Sequence, residues 1–508
     1  MRLPVTFLSV ALLAGAATWL YATRLDETPV YLMHDEAQGA LQAHSIATTG
    51  RDLTGRLLPV YFTEPEFPPG RDPLLIYVTA LLLKFAPFSQ ASVRAAAALI
   101  ATLNVVLMFL VARRLFQSTA MGLVAAALLL LTPIHFIRGR LLLSPLFTIP
   151  FILLWVWTLW RFTVQPTTAR LAASAAVLGV GMYSYLAAVA MMPLYLLITL
   201  AIGYRRLGLR AVITSGAVFL ATLLPMAAWY VTHPERNAEI VSAYQLETST
   251  SSAVARWVRL YWGFFDPSFL FISGDASAIN STREAGFFPM AFAVLIPIGV
   301  YALIRSRQPL EIAIALGFLT APLVSMISGA IEMNRVMFAI PFGVLAASYG
   351  AHTLLGKRVL IARAAALALL ASVAWQFAGF YSGYMGSYRM TSAEWFAGSA
   401  REGVRAAMNR AAGTTAPIYV SPDIEWVHRT WRFYALADGK SDMIGRVVYA
   451  KDPPADAAPG SVFLVASTSD REDAARRAGW RQVETATSID GSRSFSILLR
   501  AEAAGAAR

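Results

Sequence analysis

Eleven apolar segments follow one another along the chain, and this pattern constrains the fold more than any other feature. Each segment is close to the roughly 20 residues that an α-helix needs to cross a bilayer. Only 14% of the 508 residues are charged, against roughly 25% in soluble domains, so little of the chain can face water. The sequence therefore predicts a polytopic α-helical membrane protein. The predicted spans lie near residues 3–22, 92–112, 119–136, 141–161, 170–188, 189–204, 211–231, 287–304, 309–330, 335–353 and 360–381.

The basic residues predict the orientation of these spans. Five alternate loops carry arginine or lysine, and all five fall on one side if the N-terminus is cytoplasmic, as the positive-inside rule requires. This bias explains the net charge of +12 without a nucleic-acid partner. The loop residues are Arg113, Arg114, Arg161, Arg170, Arg205, Arg206, Arg210, Arg305, Arg307, Lys357, Arg358 and Arg363. The outer side then receives residues 23–91, 137–140, 232–286, 331–334 and 382–508.

The regions between and after the spans predict further structure. Residues 73–86 are apolar but too short to span, which is typical of an interfacial or re-entrant helix, and residues 35–48 predict another helix before Gly50. We therefore expect a transmembrane domain over 1–384 with a structured first periplasmic loop at 23–91. A small periplasmic α/β domain over 385–500 and a disordered tail at 501–508 should follow. Within that domain the predicted helices are 391–411, 423–437 and 471–478, and the predicted strands are 416–421, 446–449, 461–466 and a pair within 481–499.

A pair of carboxylates, Asp35 and Glu36, lies just beyond the first apolar segment. Acidic residues are common at helix N-termini, where the helix dipole favours them. A carboxylate pair at a membrane boundary is also costly to bury, so it either faces water or is kept for chemistry. The residues that follow in the chain decide between these interpretations.

An ordered series of short motifs follows the acidic pair, namely Thr49-Gly-Arg-Asp52, Leu58-Pro-Val-Tyr-Phe62, Pro68-Pro-Gly-Arg-Asp-Pro-Leu74, Val93-Arg94 and Ala112-Arg-Arg-Leu-Phe116. This series resembles the GT-C class of membrane glycosyltransferases, in the branch that contains protein O-mannosyltransferases and the lipid A aminoarabinose transferase. The resemblance covers residues 1–380 in architecture, and its specific motifs lie mainly within 31–116. It implies GT-C architecture, a polyprenyl-phosphate sugar as donor, catalysis on the outer face of the membrane, and Asp35 as the catalytic carboxylate.

Sugar transfer from a lipid phosphate needs a base that takes the proton of the acceptor and cations that stabilise the departing phosphate. Asp35 is the candidate base. Glu36 is one residue away and points elsewhere on a helix, so we expect it to orient a partner or the acceptor.

Arginines on the predicted outer face are the candidates for binding the phosphate of the donor. Arg138 and Arg140 occupy a short outer loop against the prevailing charge bias, and Arg335 begins the tenth span. Related proteins commonly have an arginine here in a His-x-x-Arg setting, whereas this chain has Glu332 in place of the histidine. Snorkelling to lipid head groups is the alternative for each arginine. Lys84 is a further candidate, although its stem could simply lie along an interface helix.

The outer loop 232–286 carries an aromatic stretch, Trp262 to Asp275, which resembles a Phe-Leu-Phe…Gly-Asp stretch in bacterial members of the branch. Aromatic residues at a bilayer surface commonly act as anchors. The resemblance implies an acceptor or lipid gate, in which Asp266 and Asp275 support the reacting groups. His34 and Glu332 complete the set of supporting candidates. The Asn280-Ser-Thr sequon is not expected to carry a glycan, because the Ala- and Arg-rich composition is typical of a bacterial chain.

Metal chemistry has little support in the sequence. There is no cysteine, and none of the six histidines forms an i, i+4 pair. His34, beside Asp35 and Glu36, could join a divalent site with Asp275, although a single histidine more often forms local hydrogen bonds. No Walker-type or dinucleotide motif is present in the sequence.

The span pattern predicts an inner-membrane protein of a bacterium, and the resemblance implies a glycosyltransferase that moves a sugar from a polyprenyl phosphate to a periplasmic protein, glycolipid or polysaccharide. The alternative is a transporter or lipid-linked sugar flippase, which would require charged or broken helices at mid-membrane. Pro145, Pro150, Pro193 and Pro225 could break spans in that way.

Overall fold

The computed structural model describes residues 2–62, 72–234 and 250–500, which form two compact units. The membrane unit comprises Met1–Thr23, Gly50–Val78 and Arg94–Gly383. The C-terminal unit comprises Arg24–Thr49, Thr79–Val93 and Tyr384–Arg508. The sequence-based division kept the whole of 23–91 with the spans, whereas the structure groups two parts of that loop with the C-terminal unit. The predicted tail 501–508, residues 68–71 of the Pro68–Leu74 motif and residues 235–249 of the aromatic outer loop lie outside the described residues.

Each of the eleven predicted spans coincides with at least one helix, and the predicted interfacial helices are also present as α2 and α3. Helix α2 ends at Thr49, directly before Gly50 as expected. The helices up to the last predicted span are α1 (Arg2–Ala22), α2 (His34–Thr49), α3 (Pro73–Leu83), α4 (Gln90–Leu115), α5 (Thr119–Leu130), α6 (Pro133–Arg138), α7 (Ile149–Val164), α8 (Thr168–Gly181), α9 (Ala188–Leu207), α10 (Leu209–Thr222), α11 (Leu224–Thr232), α12 (Thr250–Gly263), α13 (Phe292–Ser306), α14 (Pro309–Thr320), α15 (Leu323–Ser328), α16 (Ala339–Leu355) and α17 (Leu360–Met385).

Helix length and composition support a multi-pass membrane protein. Among the described residues, seven helices are long and apolar enough to cross a membrane, and an eighth span arises if α10 and α11 count as one. These two helices meet at a bend of 49°, next to Pro225, which cannot donate a backbone hydrogen bond. Three further predicted spans correspond to the shorter apolar helices α5, α8 and α13. The fold class is therefore confirmed, and the number of eleven spans stays a prediction.

Glycine lets two helices of the membrane unit pack backbone to backbone. A Cβ atom at Gly299 of α13 would overlap the carbonyl group of Ala346 on α16, and one at Gly350 of α16 would overlap that of Leu295. Small residues at such crossings are typical of membrane helices, because close packing replaces the missing hydrophobic driving force.

The C-terminal unit contains the predicted α/β domain. Its five-stranded sheet has the order β2-β1-β3-β5-β4, with β1 parallel to β2 and β3 and the remaining pairs antiparallel. Aromatic side chains such as Phe463 and Trp480 form part of its core. The elements are α18 (Tyr388–Thr391), α19 (Arg401–Ala411), β1 (Ile418–Val420), α20 (Val427–Ala437), β2 (Val447–Tyr449), β3 (Val462–Ala466), α21 (Asp470–Arg477), β4 (Trp480–Thr487) and β5 (Ser494–Arg500).

Two predicted helix starts in this domain were wrong. The helix predicted from residue 391 begins at Arg401, because short 3-10 turns precede it. The helix predicted from residue 423 begins at Val427, because Trp426 has a left-handed backbone with φ of 53°. Helix α2 packs against α20, and Phe88 contacts both His44 of α2 and Phe433 of α20. The C-terminal unit thus includes, besides the α/β domain, the helix that carries the acidic pair.

Candidate active site

The first turn of α2 presents three of the predicted site residues. Glu36 is buried, and its Oε2 accepts a hydrogen bond of 3.0 Å from the amide of Met33. Glu36 therefore caps its own helix, since the first amides of a helix have no partner within it. The Asp35 side chain remains 20% exposed, and its Oδ1 lies 3.2 Å from Nε2 of His34. Asp35 and His34 are thus accessible to a substrate, whereas Glu36 is not.

The segment that leads into α2 is held by the C-terminal α/β domain. The amide of Gly398 donates to the carbonyl of Leu32 at 2.9 Å, and the amide of Ile489 donates to the Tyr31 hydroxyl at 2.8 Å. The Arg401 guanidinium lies 4.8 Å from the centre of the Tyr31 ring. Burial raises the pKa of Tyr31, so its hydroxyl stays neutral. Contacts far apart in sequence therefore fix the backbone just ahead of Asp35.

In the membrane unit, Asp275 is part of a hydrogen-bond network that includes the predicted site residue Arg138. Its Oδ2 accepts hydrogen bonds from Asn280 Nδ2 at 2.7 Å and from the amide of Met333 at 2.9 Å. Arg138, which is buried, donates to the side-chain oxygen of Asn280. Asn280 was not among the predicted site residues, since its only signal in the sequence was a glycosylation sequon. Asp275 thus links Arg138 to the segment that contains Glu332 and Arg335.

Arg335 is the more accessible of these arginines. Its Nε donates to Glu332 Oε2 at 2.9 Å, and the two side chains are 26% and 33% exposed. Glu332 replaces the histidine that the resemblance predicted, and it holds the guanidinium at the start of the 3-10 turn Arg335–Phe338. The pair can orient an arginine while leaving part of it open to an anion.

Arg140 lies in a different environment from that predicted for a phosphate ligand. It is fully buried, and its Nη1 donates to the carbonyls of Tyr21 at 2.8 Å and Thr23 at 2.7 Å. These carbonyls belong to the C-terminal end of α1, where backbone acceptors lack helical partners. Through these contacts Arg140 caps the C-terminal end of α1.

Two other candidates are exposed at turns. Asp266 accepts from the amide of Ser268 at 2.8 Å and so caps a short turn, and Lys84 lies in the turn after α3. Within the described ranges, no three His, Cys, Asp or Glu residues come together as a metal cluster.

An apolar cavity of about 300 Å³ lies within the membrane unit. The hydroxyls of its two tyrosines both donate to backbone carbonyls, Tyr77 to that of Pro59 and Tyr183 to that of Thr222, each at 2.8 Å. The cavity therefore offers mainly hydrocarbon surface. Its lining includes Leu58, Val60, Leu74, Tyr77, Phe151 and Tyr183.

Comparison with known proteins identifies the fold of the chain. Residues 68–229 match the family model of dolichyl-phosphate-mannose-protein mannosyltransferases. The structure is similar to the crystal structure of apo ArnT from Cupriavidus metallidurans, with a TM-score of 0.61 and 18% sequence identity. That match covers 96% of this chain and 97% of ArnT. The chain has a GT-C glycosyltransferase fold.

Other solved proteins share this GT-C fold. ArnT bound to undecaprenyl phosphate matches with a TM-score of 0.57 and 16% identity, over 98% of this chain and 99% of that one. The archaeal oligosaccharyltransferase AglB from Archaeoglobus fulgidus, in complex with an inhibitory peptide and a dolichol-phosphate, has a TM-score of 0.52 and 11% identity. It covers 96% of this chain and 74% of AglB. No curated protein sequence matches the chain. The resemblance of the sequence to GT-C glycosyltransferases is confirmed.

Proposed function

We propose that this protein is a bacterial inner-membrane glycosyltransferase, which takes a sugar from a polyprenyl-phosphate donor and passes it to a periplasmic acceptor. The likeness to ArnT over nearly the whole of both chains carries the proposal. A similar ArnT structure is bound to undecaprenyl phosphate, and the matched family model describes a dolichyl-phosphate-mannose enzyme. Both therefore support a lipid-linked phosphate donor.

The proposed reaction is a single group transfer. A hydroxyl or amine of the acceptor attacks the anomeric carbon, a new bond forms to that carbon, and the bond between this carbon and the phosphate oxygen breaks. Asp35 takes the proton of the acceptor, and polyprenyl phosphate leaves with the bonding electron pair. The accessible carboxylate of Asp35 at the start of α2 supports this role.

Arg335 is proposed to bind the donor phosphate. It is partly exposed and held by Glu332, and a guanidinium can form two parallel hydrogen bonds to a phosphate. Arg138 is proposed to assist from its buried position through Asn280 and Asp275. The tie from Asp275 to the amide of Met333 supports coupling between these two arginines.

The apolar cavity of the membrane unit suits the hydrocarbon part of the donor. Its lining is formed largely by aliphatic, aromatic and proline side chains, and such surface favours a chain that water excludes. The five basic loops support a cytoplasmic N-terminus and a periplasmic location for the segment that contains Asp35. Proteins, glycolipids and polysaccharides all fit as acceptor classes.

A panel of radiolabelled polyprenyl-phosphate sugars, offered to the purified protein in lipid nanodiscs, tests this proposal. We expect release or transfer of the sugar from one donor, with inhibition by unlabelled polyprenyl phosphate. No turnover of any donor, together with movement of lipid-linked sugar across the bilayer of reconstituted vesicles, would contradict the proposal and favour the flippase.

A further inference from the structure

A row of packed side chains leads from the buried Arg429 of the α/β domain to Asp35. The His34 ring stacks on the Trp426 indole, with ring centroids 4.7 Å apart and planes 10° from parallel. Nε2 of the same His34 lies 3.2 Å from Oδ1 of Asp35. The Arg429 guanidinium lies 4.4 Å from the centre of the Trp426 ring and is only 2% exposed. All four residues belong to the C-terminal unit.

The backbone of Trp426 is strained in a way that accompanies this stack. Its φ of 53° and ψ of 23° are left-handed, a conformation that bulky residues rarely adopt. Such a residue persists only when its surroundings hold it, and strained residues cluster at functional sites. Here the strain delays the start of α20 until Val427 and accompanies the contact of the indole with His34.

A tryptophan beside a catalytic carboxylate could also stack on a sugar. Trp426 does not fit that role, because its indole already stacks on His34 and carries Arg429 over its ring. Its aromatic surface therefore serves contacts within the protein. The remaining consequence of the stack is to restrict His34, and through His34 the carboxylate of Asp35.

We propose that Trp426 is a positioning residue for Asp35, so that the α/β domain supplies part of the geometry of catalysis. This inference rests on the proposed function. Asp35 must meet the proton of the acceptor within hydrogen-bond distance, and small displacements of a catalytic group reduce rates strongly. Arg429 packs over the Trp426 indole, the indole stacks on the His34 imidazole, and the imidazole contacts the Asp35 carboxylate.

The test compares Trp426→Ala and Trp426→Phe in the full-length protein with Trp395→Ala, which removes a tryptophan that is 39% exposed in the same unit. We expect Trp426→Ala to lower kcat about 10- to 100-fold with little change in KM for the donor. Trp426→Phe keeps a stacking ring and should recover most of the loss. Trp395→Ala should retain wild-type turnover.

A second measurement reports on the stack without relying on activity. Labelling of histidines by diethyl pyrocarbonate, read by mass spectrometry, should increase at His34 in Trp426→Ala and stay unchanged at the exposed His352. Wild-type kcat in Trp426→Ala, equal losses in both Trp426 variants, or unchanged labelling of His34 would each overturn the positioning role. If the wild-type protein transfers no sugar from any donor, the proposed function fails and the positioning role fails with it.

Discussion

Residues of one chemical type have different roles in this protein because their surroundings differ. Asp35 is accessible beside His34, whereas Glu36 is buried as a cap of its own helix. Arg335 is partly exposed, whereas Arg140 is buried against the end of α1. Residue type alone therefore suggests a site residue, and burial and hydrogen-bond partners separate catalytic candidates from structural ones.

This contrast between arginines leads to a prediction. Arg335→Gln should lower kcat/KM about 10- to 100-fold, because a charge-assisted hydrogen bond to the donor phosphate is worth about 1.5–3 kcal/mol. Arg335→Lys should recover part of this loss through its charge. Steady-state kinetics with the donor checks both values.

Two further arginine variants serve as controls for that measurement. Arg140→Gln should mainly lower thermal stability, and the exposed Arg358→Gln should change neither quantity. Wild-type kinetics in Arg335→Gln would exclude Arg335 as a phosphate ligand.

Asp52, from the Thr49–Asp52 motif, predicts a dependence of stability on pH. Its side chain is fully buried and accepts hydrogen bonds from Thr54 and from both the backbone and the side chain of Arg56. Burial acts to raise the pKa of Asp52, but the hydrogen bonds from Arg56 and Thr54 and the charge of Arg56 together outweigh it and leave this pKa below the ordinary value of 3.8. The carboxylate therefore stabilises the fold above pH 3.8, and this contribution disappears as the pH falls through the lower folded value.

We expect Asp52→Asn to reduce the free energy of unfolding by about 1–3 kcal/mol at neutral pH. The difference in melting temperature between wild type and variant should shrink as the pH falls below 3.8. Thermal unfolding across a pH series measures this difference. A gap that widens at low pH would show that the assigned sign is wrong.

At the scale of elements, the close contact of the 3-10 turn Ala397–Ala400 with the segment before α2 is testable. A Cβ at Gly398 would overlap the backbone carbonyl of Leu32, whereas one at Gly445 would meet open space. Gly398→Ala should therefore destabilise the protein by about 1–3 kcal/mol, as overpacking does. Gly445→Ala should have little effect, and thermal unfolding compares the two. Equal stability of both variants would contradict the described contact.

Most elements could be predicted from the sequence, because hydropathy and periodicity act over short stretches. The eleven apolar segments, helices α2 and α3 and the five strands all follow from such local patterns. The late start of α20 did not, because the left-handed Trp426 depends on its tertiary surroundings. The role of Asn280 was missed for the same reason, since its partners Arg138 and Asp275 are distant along the chain or show no helical spacing.

The whole molecule divides into two compact units, and neither unit is a single continuous stretch of the chain. Residues Arg24–Thr49 and Thr79–Val93 form one compact unit with Tyr384–Arg508, although hundreds of residues separate them in sequence. The acidic pair that begins the family-like motif series therefore belongs to the same unit as the α/β domain. Local patterns cannot reveal such a grouping, because long-range contacts create it.

Hydrogen exchange of the intact protein in increasing denaturant can test this grouping. Amides of residues 24–49 should lose protection together with those of the α/β domain, because one compact unit opens cooperatively. Mass spectrometry of proteolytic peptides resolves the two groups. Loss of protection of 24–49 in step with Arg94–Gly383, and apart from the sheet, would contradict the described units.

Asp35 is proposed as the base in sugar transfer from a polyprenyl phosphate. The most direct measurement is kcat and donor affinity of Asp35→Asn beside wild type, with Asp26→Asn as a matched control at an exposed carboxylate of the same unit. We expect kcat to fall about 10²- to 10⁴-fold in Asp35→Asn. Donor affinity should stay within about twofold, and Asp26→Asn should behave as wild type. Near-normal turnover in Asp35→Asn would contradict the claim.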